Sequence, residues 1–105
     1  MADFKADQDH RITIAEATEF TRNYRNSETF VGKYCGFFGA DAIKAILAQK
    51  DCVGFRYYYG LDGQSNQVLI LVGVTADGTD LTAGELAEVS VPCPPHCNDS
   101  SPLMG

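Results

Sequence analysis

The stretch that most constrains this chain runs from Cys52 to Thr75. Two runs rich in aromatic and β-branched residues, Cys52–Gly60 and Gln67–Thr75, flank the turn formers Leu61-Asp-Gly-Gln-Ser-Asn. That pattern specifies a β-hairpin. Pairing Gly60 with Gln67 places Phe55, Tyr57 and Tyr59 opposite Val72, Ile70 and Val68. The same register sets Arg56 and Tyr58 opposite Leu71 and Leu69. A slip of one residue would mix the two faces, so the sequence specifies this register.

The second run, with Val68, Ile70, Val72 and Val74 on one face and Leu69 and Leu71 on the other, is apolar on both sides. A sheet with one wet face alternates. The second face therefore calls for a cover, either the 27–39 segment or another subunit. Two helices are expected before the hairpin. Thr13 and Glu16 have capping-box spacing, and Ile14, Ala17, Phe20, Thr21 and Tyr24 recur with helical period over about 14–25. Residues 26–39 mix Phe30, Val31, Tyr34, Phe37 and Phe38 with three glycines and read as a loop pinned by aromatics. Helical character resumes from Ala40 to Gln49, with Leu47 among its core candidates.

Beyond the hairpin, Asp77-Gly78 has the signature of a type I′ turn. A third strand is expected from Thr79, broken near 82–84 and resuming over 85–91, where Ala87, Val89 and Val91 alternate with Leu86, Glu88 and Ser90. Pro92, Pro94 and Pro95 then stop the sheet. The fold class is α+β: two N-terminal helices followed by a three-stranded antiparallel β-meander. Residues 1–11 read as a flexible arm, 12–97 as a single α+β domain and 98–105 as a disordered tail.

At 105 residues there is room for one domain. Six Phe and five Tyr within a 45% apolar composition argue for a packed core. Fourteen acids against eight scattered bases give a net charge of −6, which argues against a nucleic-acid or anionic-membrane surface, because phosphate binding needs a basic patch. No run reaches the roughly 20 apolar residues of a membrane span. The N-terminus shows no secretory signal, so the expected location is cytoplasmic.

Four cysteines are present: Cys35, Cys52, Cys93 and Cys97. In a reducing compartment, thiols or a metal site are expected states. Cys93-Pro94-Pro95-His96-Cys97 matches neither the zinc-knuckle spacing nor the redox Cys-x-x-Cys. Fully extended at about 3.1 Å per residue, the tract would separate the two cysteines by about 12 Å. A disulfide tolerates about 7 Å, so only a turn at Pro95-His96 brings them together. Free thiols, a Cys93–Cys97 disulfide and a metal site on Cys93, His96 and Cys97 all stay open. Zinc would need Cys35 or Cys52 as a fourth ligand; no other cofactor is indicated.

No nucleophile elbow, P-loop or His-Glu-x-x-His occurs, and neither Asp-Gly loop has the ligand pattern of an EF-hand. The sequence leans away from an enzyme. Tyr58 with Arg56, Leu69 and Leu71 reads as a contact patch. The expected role is a small, acidic, non-enzymatic binding or assembly module that works through a protein partner or as a homodimer. The rival is a metal- or thiol-dependent protein using the Cys93–Cys97 segment.

Glu16-Ala-x-x-Phe20-Thr21-x-x-Tyr24-Arg25, the Gly54-Phe-Arg-Tyr-Tyr-Tyr-Gly60 strand and the Cys93-Pro-Pro-x-Cys97 end together resemble small uncharacterised proteins of the Bacteroidota, over about residues 12–97. The resemblance implies a bacterial source and one compact α+β domain. It assigns no functional residue.

Overall fold

The computed structural model describes residues 4–88 and 90–104. Val89, expected in the third strand, and the outermost residues of the arm and tail lie outside them. The elements are α1 (Ile14–Arg25), β1 (Cys35–Phe37), α2 (Ala40–Leu47), β2 (Cys52–Leu61), β3 (Gln67–Thr75), β4 (Leu86–Ala87) and β5 (Val91–Cys93). The class is α+β, with a three-stranded antiparallel sheet β2-β3-β4 and a separate two-stranded sheet β1-β5. The expected domain divides into two compact units that interleave in sequence. One joins the arm through Gln8 to Phe38–Ser90; the other joins Asp9–Phe37 to the segment from Val91 onward.

In the first unit, β2 and β3 form the hairpin, but one residue away from the expected register. Gly60 pairs with Val68 and Leu61 with Gln67, so Phe55, Tyr57 and Tyr59 lie opposite Gly73, Leu71 and Leu69. Arg56 and Tyr58 lie opposite Val72 and Ile70. The turn explains the difference. The Asp62 N–H donates to the Asn66 carbonyl and the Ser65 N–H to the Asp62 carbonyl, both at 3.0 Å. Ser65 is left-handed, with φ 64°. This is a three-residue loop, a type I turn followed by a left-handed residue, not an even-numbered one. The Asp62 carboxylate holds it by accepting from the N–H groups of Gln64 and Asn66, each at 2.9 Å.

The next turn repeats the device. The Thr75 N–H donates to the Thr79 carbonyl at 3.1 Å and the Gly78 N–H to the Thr75 carbonyl at 2.9 Å, with Gly78 at φ 87°. The expected type I′ turn needs two left-handed residues, and Asp77 is not one of them. The third strand is correspondingly short. After an isolated Val74–Asp80 bridge, Leu86 and Ala87 are the strand residues that pair with β3 among the described residues. Val91, expected in this strand, instead pairs with Phe37 in the β1-β5 sheet.

The core of this unit is Ile46 with Leu71, Val72 and Val74, all buried. In the eight-residue α2 the inward position is Ile46; Leu47, expected in the core, is 43% exposed. Gln49, just past the helix, ties it to the sheet. Its amide donates to the Ile46 carbonyl at 2.9 Å and accepts from the Glu85 N–H at 3.0 Å. Glycines leave room for that side chain: a Cβ on Gly73 would lie 2.7 Å from Gln49 Nε2, and one on Gly84 would overlap Gln49 Oε1.

In the second unit, the capping box at Thr13 and Glu16 forms as the spacing predicts, and α1 has the expected limits. It buries no residue fully, however, and Ile14 and Phe20 face solvent. Tyr24 is its anchor. The Tyr24 ring meets Phe30 edge-on at 5.3 Å, Phe30 meets Tyr34 at 5.1 Å, and the Tyr24 hydroxyl donates to the Lys33 carbonyl at 3.0 Å. The tail, expected to be disordered, folds as successive turns at Asn98–Ser101 and Ser101–Met104. Arg25 donates to the Leu103 carbonyl at 2.7 Å and so joins the tail to α1.

Candidate functional site

Burial along the hairpin changes abruptly. Leu71 to Val74 are buried, whereas from Tyr57 outward β2 is open, and Tyr59 and Leu61 are 73% and 71% exposed. β4 and the Asp80 bridge support only the inner half, at Leu71, Val72 and Val74. The outer half, Tyr57–Leu61 with Gln67–Ile70, is a two-stranded ribbon with no further strand beside it among the described residues.

The alternation of the strands sorts this ribbon into two unlike faces. On the first, Phe55, Tyr57, Tyr59, Leu61 and Leu69 are all exposed. The Tyr57 and Tyr59 rings meet edge-on at 5.6 Å. The hydrogen bond with the Tyr57 hydroxyl holds the Tyr59 phenol above its ordinary pKa. On the second face, Arg56 and Tyr58 converge on Asp80. Arg56 forms an ion pair with the carboxylate, and the Tyr58 hydroxyl donates to its other oxygen. Arg56 also donates to the Gly78 carbonyl at 3.2 Å and stacks on Phe4, 5.3 Å from the ring centroid. Burial acts to lower the Arg56 pKa, but its bonds and charge interactions with Tyr58 and Asp80 outweigh that and raise it. The arm therefore docks through Phe4, with Gly78 leaving space for the ring.

The four residues of the expected contact patch are thus not brought together. Arg56 and Tyr58 share one face with Ile70 and Val72, and are engaged by Asp80. Leu69 lies on the other face, and Leu71, beside it, is buried. Tyr57, Tyr59 and Leu61 take their place, and the signal that identifies them is the odd loop length. No protein-family model, curated protein or solved structure matches the chain.

The remaining candidates lie in the second unit. Cys93 and Cys97 form a disulfide with their Cα atoms 4.9 Å apart. The tract folds back with both X–Pro peptides cis, and the His96 N–H donates to the Pro92 carbonyl at 3.1 Å. Bonded to each other, the two sulfurs are not thiolates, so Cys93, His96 and Cys97 form a ligand set only after reduction. Among the described residues, no three His, Cys, Asp or Glu side chains are placed to hold a metal. Cys35 and Cys52 are free thiols. No helix among the described residues is long and apolar enough to cross a membrane.

Proposed function

We propose that this chain is a non-enzymatic binding or assembly module that engages protein through the outer half of the β2-β3 hairpin, first of all a second copy of itself. The observation that carries the reading is the row Tyr57, Tyr59, Leu61 and Leu69, exposed along one face of a ribbon that no further strand supports among the described residues and continued inward by exposed Phe55. Contiguous apolar surface of this kind marks interaction sites, and tyrosines supply contact area with few rotors to immobilise. An isolated hairpin is marginal in water, so an added strand or covering face stabilises it by completing the sheet. The net charge of −6 supports a protein partner over nucleic acid or an anionic membrane. A cytoplasmic, bacterial setting belongs to the same proposal.

Sedimentation tests it. Self-association predicts a mass of about twice 11.4 kDa at micromolar concentration. A Tyr59→Ser, Leu61→Ser double variant should return to the monomer with its melting temperature measured at high dilution unchanged. A wild type that remains monomeric at high micromolar concentration defeats self-association. Leu71→Asp, by contrast, places a carboxylate in the core and should unfold the unit.

A further inference from the structure

We propose that Cys35, Cys93 and Cys97 form a thiol–disulfide exchange site, in which the disulfide moves between the Cys93–Cys97 ring and a Cys35–Cys93 cross-strand bond. This proposal stands apart from the hairpin and would survive its failure. β1 and β5 are antiparallel, and Cys35 lies directly opposite Cys93. Facing residues in such a ladder have Cα atoms about 4.5–5.5 Å apart, with side chains on the same face. That separation falls within the range of about 4.4–6.8 Å that a disulfide spans.

Exposure gives each sulfur a distinct part. Cys93 is 1% exposed, which shields it from thiols in solution. Cys35 is an exposed free thiol already beside it. Cys35 loses its proton to water, and its thiolate attacks Sγ of Cys93 along the sulfur–sulfur bond. The Cys35–Cys93 bond forms as the Cys93–Cys97 bond breaks, and Cys97 leaves as a thiolate that takes up a proton from water. One disulfide and one thiol are present before and after, so no oxidant or reductant is consumed.

The exchange alters what the crosslink encloses. The Cys93–Cys97 bond closes a ring within one turn. The Cys35–Cys93 bond closes a loop containing all of 38–90, since the chain leaves the second unit through β1 and returns through β5. The free thiol is simultaneously transferred from β1 to the C-terminal turns. Cys52, in the other unit, donates to the Gly54 carbonyl at 3.1 Å and serves as an internal reference thiol.

Disulfide mapping of the full-length protein tests the site. Wild type is brought from acid to about pH 8, without reductant, for increasing times. It is then quenched with acid, alkylated with N-ethylmaleimide, digested and analysed by mass spectrometry. Alkylated Cys97 and a Cys35–Cys93 linkage should increase together with time, and both should fall to background in Cys35→Ser. In Cys97→Ser, a glutathione redox buffer should yield the Cys35–Cys93 linkage in place of the native ring. Label confined to Cys35 and Cys52 in wild type at every time overturns the proposal. So does a Cys97→Ser protein that keeps Cys35 and Cys93 unlinked in that buffer.

Discussion

Ile46→Ala and Leu47→Ala form a matched pair that reads the phase of α2. Both delete three heavy atoms from neighbouring positions of one short helix, where successive side chains are about 100° apart. Ile46 is 1% exposed and Leu47 43%. For Ile46, three buried groups at about 0.8 kcal/mol each amount to about 2.4 kcal/mol of lost transfer energy. The void left against the sheet raises this to about 4 kcal/mol, within the usual range of 2–5. For Leu47 only about half of the transfer energy is at stake, and water fills the space, so the cost is about 1–1.5 kcal/mol. The expected gap is about 2 kcal/mol or more, equivalent to roughly 8–16 °C in melting temperature for a unit of this size. Urea melts with unchanged slope give the comparison directly. A Leu47 variant as unstable as the Ile46 variant would show that α2 is rotated from this placement and refute the core described above.

Three further outcomes follow from named contacts. Gly84→Ala drives the Gln49 amide from its slot and loses its bond to the Glu85 N–H, costing about 1–2 kcal/mol; in a Gln49→Ala background the same change should cost almost nothing, as measured in a double-mutant cycle. Ser65→Gly removes a side chain from a left-handed position and should stabilise by about 0.5–1 kcal/mol in thermal melts; a loss instead would mean that the loop is closed differently. The Asp77 carboxylate is held below its ordinary pKa of 3.8 by the hydroxyls of Thr75 and Thr79 and the Thr79 N–H, so its contribution is fully present above about pH 4 and is lost as pH falls through the lower folded value. Asp77→Asn should therefore flatten the acid limb of a stability-against-pH curve, and an unchanged limb would show the turn does not depend on that charge.

The limits of α1, the start of α2, the capping box and the existence of the hairpin were legible because each is encoded locally. Thr13 and Glu16 lie within one turn of each other, and the apolar runs on either side of 61–66 name their own strands. Register was not legible, because it depends on a single left-handed residue in each turn. Ser65 does not advertise φ above zero as glycine does, and Gly78 was assigned to a two-residue turn when it closes a three-residue one. One displaced residue then exchanged the faces of the ribbon and dissolved the expected Arg56, Tyr58, Leu69 and Leu71 patch. The pairing of β1 with β5 was hidden for a different reason. Its partners are more than fifty residues apart, three residues long and interrupted by Pro92, so neither carries a strand pattern of its own.

The observed register also bears on the proposal that the hairpin takes a partner. Edge strands are usually guarded by lysine, proline, bulges or inward-pointing charges. β2 is the edge of its sheet, and its register shift falls at Cys52/Gly54, on the supported half. From Tyr57 to Leu61 the strand has no charge, no proline and no bulge. Arg56, the one cation of the strand, is turned to the opposite face and neutralised by Asp80. Had the expected register held, Tyr57 and Tyr59 would have faced the aliphatic row Val68, Ile70 and Val72, with the guard residue on the open side. As folded, the aromatic face and the unguarded edge coincide on the outer half of the ribbon. An added strand would there satisfy backbone groups and cover tyrosines in one step, so association by the edge should protect the amides of Tyr57–Leu61 from hydrogen exchange as concentration rises. Protection confined to the inner half at every concentration would leave the exposed row without the role assigned to it.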